Sequence, residues 1–133
     1  MVCKMLIFDF KESEKLFFEK NKLDNFNVKL LPYSLNKKTI HNILPQDLEE
    51  TSVLNVRNSS ILSTDIINEF KNLRIIAHRT KDYKNTDLKT CLKRNIAVVN
   101  SEISDNDNDY KIMQKSFRAI TSVLCGCKDY RII

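Results

Sequence analysis

Short apolar runs and stretches of helical period alternate along this chain about five times, and no other feature of the sequence narrows its fold so far. A run of four to eight apolar residues suits a strand buried on both faces, and amphipathic segments between such runs supply the covering helices. The runs are KMLIF (4–8), NVKLL (27–31), TSVLNV (51–56), LRIIA (73–77) and IAVV (96–99). Between them lie Glu12 to Lys20, with Leu16 and Phe17 at helical spacing, and Leu35 to Leu44, which Pro45 should stop. Two more helices follow: Ser63 or Thr64 can cap one running through Phe70, and Asp87 can cap another holding Leu88, Cys91 and Leu92.

This order of elements predicts an α/β, flavodoxin-like fold: a parallel five-stranded sheet ordered 2-1-3-4-5 with helices on both faces. Residues 1–100 complete that unit. Ser101 to Asp109 is polar and acidic, and reads as a linker. Tyr110 to Leu124 then carries Ile112, Met113, Phe117 and Ile120 at spacings of three and four, an amphipathic helix. The helix and tail, 110–133, should pack on the same domain or on a partner.

With 133 residues the chain fits one domain, and 42% hydrophobic content beside 29% charge is ordinary for a globular protein. No apolar run approaches the roughly 20 residues needed to cross a bilayer, so no membrane role is expected. The opening MVCKMLIFDFKESEK lacks a small-residue cleavage pattern, which makes a cytoplasmic location the expectation. Reduced thiols suit such a compartment. Cys3 and Cys91 read as small core residues, whereas Cys125 and Cys127 form a C-x-C that would need further ligands to hold a soft metal; no metal is expected.

Net charge is +5, yet Lys71, Arg74, Arg79, Lys81, Lys84, Lys89, Lys93 and Arg94 face only Asp82 and Asp87 within one segment, a local net of six. Such a segment can attract phosphates, but exposed aromatics and nucleic-acid motifs are missing from it. A solvated helix face plus loop is the expectation, and a nucleic-acid partner is not.

LIFDFKESEKLFFEK, VLNVRNSSILSTDIINEFKNLRIIAHR and RTKDYKNTDLKTCLKRNIAVVN together resemble the substrate (catalytic) domain of D-isomer-specific 2-hydroxyacid dehydrogenases. LIFDFKESEKLFFEK resembles that family's first strand and helix, with Phe8, Asp9, Phe17 and Phe18 in place. VLNVRNSSILSTDIINEFKNLRIIAHR resembles its strand, substrate-holding loop, helix and next strand. RTKDYKNTDLKTCLKRNIAVVN is similar to Arg-Ser-x-Gly-Tyr-Asp-x-Ile-Asp-Leu, a helix, then Gly-Ile-x-Val-x-Asn, matched by Arg79, Tyr83, Asp87, Leu88, Ile96, Val98 and Asn100. The family's two glycines in that stretch are Asp82 and Asn95 here, positions where positive φ is expected.

The resemblance implies hydride transfer in the whole enzymes, with a nicotinamide cofactor held by G-x-G-x-x-G in a second domain that also carries the catalytic groups. One glycine, Gly126, cannot build that fingerprint. No cofactor and no catalytic residue are therefore assigned. The resemblance does imply a carboxylate-gripping loop after the third strand, here Arg57, Asn58, Ser59 and Ser60, and Arg79 and Tyr83 should line the same edge of the sheet. His78 reads as a structurally satisfied histidine, Asp9 as a strand-end turn and Asp87 as a cap.

The expected function is a non-catalytic, stand-alone binding or protein-interaction module with a homo-oligomer or another chain as partner, and with a small carboxylate as a possible ligand. Two alternatives stand beside it: half of a split NAD-dependent dehydrogenase, and a regulatory domain binding an anion or nucleic acid through 71–94.

Overall fold

A computed structural model describes residues 2–126 and 130–133. Five strands, β1 (Cys3–Ile7), β2 (Phe26–Leu30), β3 (Thr51–Val56), β4 (Ile75–His78) and β5 (Ala97–Asn100), form one parallel sheet ordered β2-β1-β3-β4-β5. Five α-helices accompany it: α1 (Lys15–Lys20), α2 (Pro45–Glu50), α3 (Thr64–Glu69), α4 (Leu88–Lys93) and α5 (Asp109–Leu124).

Alternation of side chains along each strand splits the core into two layers. Leu6, Leu54, Val56, Ile76 and Val98 face α3 and α4, whose Ile66, Ile67 and Cys91 are buried against them. Met5, Ile7, Val53, Ile75, Ala77, Ala97 and Val99 face the opposite way, toward Phe17 of α1 and Met113, Phe117 and Ile120 of α5. Helices thus cover both faces. Continuous apolar runs in β1 and β3 to β5 follow from this double burial.

The helix expected over 35–44 is a correction. Only the 3-10 turn Thr39–Asn42 forms there, because the Asn36 side chain accepts from the Lys38 and Thr39 amides and folds the backbone into a local turn. Pro45, taken as a stop, instead occupies the first turn of α2, where its missing N–H costs nothing. Asp47 of α2 is buried between Lys4 and Lys29 and ties that helix to β1 and β2. In α1, Phe17 is buried while Leu16 stays 45% exposed.

Asn95 adopts φ 57 as expected, but Asp82 does not share that conformation; among the described residues the other positive-φ residue besides Gly126 is Asp9, at φ 58. Cys91 is fully buried, whereas Cys3 is only half-buried at the start of the edge-neighbouring β1, so it is not a core residue.

α5 runs antiparallel to the strands and packs on the sheet of its own chain. Its Phe117 ring contacts Phe17, Phe18 and Phe26 at centroid distances of 5.1, 5.9 and 5.5 Å. The last residues return along β5: Asn100 N donates to Tyr130 O (3.2 Å) and Ile132 N to Val98 O (2.7 Å), with Arg131 opposite Val99 in antiparallel pairing. A sheet edge that would otherwise present unpaired backbone groups is covered in this way.

The basic stretch 71–94 does not form one face. Arg79 is buried, Arg94 donates to Ile67 O and Phe70 O at the C-terminal end of α3, and Lys81 pairs with Asp105. Arg74 precedes β4 and Lys84 follows it, which puts these two at opposite edges of the sheet.

Candidate functional site at the C-terminal edge of the sheet

In a sheet of this order the connections from β1 and β3 leave toward opposite faces, and the crevice between their C-terminal ends is where open α/β sheets take ligands. Here the crevice is filled by the chain itself. Asp9, directly after β1, turns its carboxylate inward: Oδ1 accepts from the hydroxyls of Ser34 and Ser59 (2.9 Å for Ser59), and Oδ2 accepts from the Ser60 hydroxyl at 2.8 Å and the Arg57 amide at 3.0 Å. A carboxylate that accepts several N–H and O–H groups needs no external partner.

The loop after β3 is a tight turn, with Ser60 N donating to Arg57 O at 3.2 Å. Its remaining amides, those of Asn58 and Ser59, have no acceptor among the described residues.

Beside this turn lies a buried ionic cluster. Glu14, fully buried at the 3-10 turn Glu12–Glu14 before α1, accepts from Arg79 Nε and from an Arg57 terminal nitrogen, each at 2.8 Å. Arg79 also donates to Asn55 Oδ1 (3.0 Å) and Phe8 O (2.8 Å), so the expected edge-lining arginine is turned into the core and fully committed. Burial pulls its guanidinium down from the ordinary value and Glu14 opposes that pull. An arginine starts so high that it stays charged regardless.

The cluster reaches α5: Arg57 approaches Asp109 at 3.4 Å, and Asn55 Nδ2 donates to Ser116 Oγ at 3.1 Å. Hydrogen bonds from Ser13 and the Arg57 charge hold the Asp109 carboxyl below its usual range, with desolvation opposing them.

A second loop, 80–85, follows β4 and is tied to the first through Asn58. Thr80 Oγ1 donates to Asn58 Oδ1 (2.7 Å), Asn58 Nδ2 to Asp82 Oδ2 (3.2 Å) and Asn85 Nδ2 to Asn58 O (2.6 Å). Asn100 at the end of β5 holds the same loop through Thr80 O and Lys81 O. Asp82, expected as a bulky replacement for a glycine, is a partner of Asn58.

His78 is 3% exposed and hydrogen-bonds Thr86 Oγ1 at 2.9 Å through Nε2, while its Nδ1 has no partner among the described residues. Burial pushes its imidazole down to about 4, Asp82 pulling weakly the other way. Tyr83 is half-buried, its ring centroid 6.5 Å from that of His78.

Of the predicted site residues, Arg57, Asn58, Ser59, Arg79 and Tyr83 all stand at this edge: the first three share the turn after β3, Arg79 joins Arg57 through Glu14, and Tyr83 lies on the loop tied to Asn58. Sequence reasoning missed Asp9 and Glu14 as its organisers. An acidic residue directly after a buried strand, in a region where several serines converge only in three dimensions, carries no distinguishing signal.

The geometry defines a class first: a doubly covered parallel α/β domain whose switch-point crevice is closed by its own polar groups. A family model described as "D-isomer specific 2-hydroxyacid dehydrogenase, catalytic domain" matches residues 5–107, and the chain belongs to that family.

The apo D-lactate dehydrogenase of Escherichia coli superposes with TM-score 0.64 at 19% identity, covering 77% of this chain and 32% of that one. The D-lactate dehydrogenase of Aquifex aeolicus, solved with NAD and lactic acid, gives 0.62 at 18% identity over 72% and 27% of the two chains. For the NAD+-bound 3-phosphoglycerate dehydrogenase of Entamoeba histolytica the values are 0.57, 20%, 76% and 33%. At these identities the likeness is one of fold. The chain spans about a third of the length of these structures. No match is found among curated proteins.

Dinucleotide binding in such folds needs glycines that let helix N-terminal amides approach a pyrophosphate. Gly126, the single glycine of the sequence, lies instead just beyond the C-terminal end of α5, with its N–H given to Val123 O. The residues present do not fit the cofactor, and no hydride step is derived from them.

Proposed function

We propose that this chain acts as a cytoplasmic, non-catalytic module of substrate-domain type that binds rather than turns over, either pairing with a second copy of itself or docking another chain. The observation carrying this reading is the Asp9 carboxylate seated on Arg57 N, Ser59 Oγ and Ser60 Oγ. An internal acid takes donors that an incoming carboxylate would need. Glu14 is shared by Arg57 and Arg79, and Asp109 also approaches Arg57, so the charges of this cluster are engaged with one another rather than open for acid–base work.

Residual binding of a small carboxylate is confined in this reading to the rim, to the Asn58 and Ser59 amides and the partly exposed Arg57, with Tyr83 on the neighbouring loop that Asn58 ties to this turn. A thermal-shift series with 2-hydroxy and 2-keto acids up to millimolar concentration, with and without NAD, tests it, since a ligand of the native state must raise its melting temperature. The expected result is a small rise with acids alone, lost in Arg57→Ala measured against its own baseline, and no added rise with NAD. Sedimentation supplies the partner arm: a concentration-dependent dimer supports self-association, and a monomer at all concentrations removes it.

The share of the related enzymes that the chain spans favours a second reading, in which it is the substrate half of a split dehydrogenase. Mixing it with a family cofactor-binding domain and following NADH absorbance tests this. Absence of any turnover in the mixture ends that reading.

A further inference from the structure

Away from the crevice, at the N-terminal edge of the sheet, two cysteines far apart in sequence share a cavity. Cys3 opens β1 and Cys125 follows the last residue of α5, and both line a space of about 280 Å³ with Asn25, Phe26, Arg74, Thr121 and Leu124. Cys3 is half-buried and Cys125 exposed, and both are free thiols.

Element geometry brings the two to the same level. Asn55 lies beside Ile7 in the sheet register and hydrogen-bonds Ser116, which fixes the height of α5 against β1. From that level α5 descends nine residues to Cys125, about 13 Å at ~1.5 Å per residue. β1 descends four residues to Cys3, again about 13 Å at ~3.3 Å per residue. Met5 and Ile7 face α5, so Cys3, two residues before Met5, faces it too.

A larger cavity of about 760 Å³ adjoins, sharing Cys3 and Arg74 and bounded also by Asn27, Ser52 and Asn72. Lys4 in its wall pairs with Asp47 and Glu50, whereas the exposed Arg74 lines both spaces and makes no ion pair among the described residues.

We propose that Cys3 and Cys125 form a reactive dithiol, oxidised by a small carboxylate-bearing disulfide of the glutathione type, whose carboxylates Arg74 draws in. The exposed Cys125 thiolate attacks the small disulfide, forming a mixed disulfide and releasing one small thiol. Cys3 thiolate then attacks the Cys125 sulfur, closing a Cys3–Cys125 bond and expelling the second. Two protein thiols are oxidised, one small disulfide is reduced to two thiols, and the two protein protons pass to the leaving thiolates. In a reducing compartment the pair rests open; closed, it staples the end of α5 to the start of β1. The proposal is independent of the reading of the crevice.

Cys125 and Cys127 fall in one tryptic peptide, 119–128, so the test starts from Cys127→Ser protein treated with glutathione disulfide under native conditions. The expected product has lost two hydrogens in intact mass, joins peptide 1–4 to peptide 119–128, and melts at a higher temperature until dithiothreitol is added. Adding Cys3→Ser should trap a stable glutathione adduct on Cys125, and adding Cys125→Ser should slow the reaction of the remaining thiols. Glutathione adducts without an internal bond in Cys127→Ser protein overturn the proposal, as does a linkage running between chains. Equal yield of the Cys3–Cys125 link in denaturing urea would also overturn it, because the pairing would then owe nothing to the fold.

Discussion

The Glu14 carboxylate receives the Nε of Arg79 at 2.8 Å across 65 residues of chain, both side chains without exposure. Removing one partner of a buried pair strands the other's charge, which costs about 3–5 kcal/mol. Glu14→Ala is therefore expected to lower unfolding free energy by about that much, measured by urea denaturation. A Glu14→Leu, Arg79→Met double variant should lose clearly less than the sum of the single variants.

Asp9 combines a left-handed backbone, φ 58, with a carboxylate that organises the turn after β3. Asp9→Gly keeps the backbone conformation and vacates the acceptor. We expect a loss of roughly 1–3 kcal/mol from the orphaned donors. Acetate or a 2-hydroxy acid should partly restore the melting temperature of this variant, by more than it shifts the unmutated protein. Equal shifts in both would show that the crevice admits no outside carboxylate.

His78 is folded in neutral form. Its native pKa, about 4, lies below the ordinary 6.5. Between those values the unfolded chain binds more protons than the folded one, so stability is complete above pH 6.5 and falls as pH drops toward 4. The loss by pH 4 is roughly 3 kcal/mol for a depression of this size. A His78→Gln variant, followed by denaturation from pH 7 to 4, should flatten that part of the profile. Asp107 and Asp109, held below the carboxylate range, contribute only at still lower pH.

Phe117, 6% exposed, stands among the rings of Phe17, Phe18 and Phe26, where α1, α5 and β2 meet. Phe117→Ala leaves a cavity that this aromatic cluster cannot close, at a cost of about 3–5 kcal/mol. Calorimetric melting checks it, and dye binding to exposed apolar surface should rise as α5 loosens.

Sheet order, the two-sided cover and the cap at Asp87 follow from local pattern. Apolar runs of strand length alternating with helical stretches leave few topologies open, and parallel strands demand crossovers that the intervening segments supply. The turn at 36–42 and the helix beginning at Pro45 escaped that reading because proline serves equally as a stop and as a first-turn residue, and only the surrounding packing chooses.

The residues of the crevice were visible by type, as Arg57, Asn58, Ser59, Arg79 and Tyr83, while their commitments were not. Arg79 looks like any arginine after a strand until Glu14 is found beneath it, and Asp9 looks like a turn until three serines and an amide converge on it. The sequence by itself determined sheet order and two-sided cover, because these rest on periodicities within a few turns of chain, and it carried the family in three motif stretches. Tertiary structure alone decided which charges are spent internally, and that Cys3 and Cys125, 122 residues apart, line one cavity, because those outcomes depend on partners that only folding brings together.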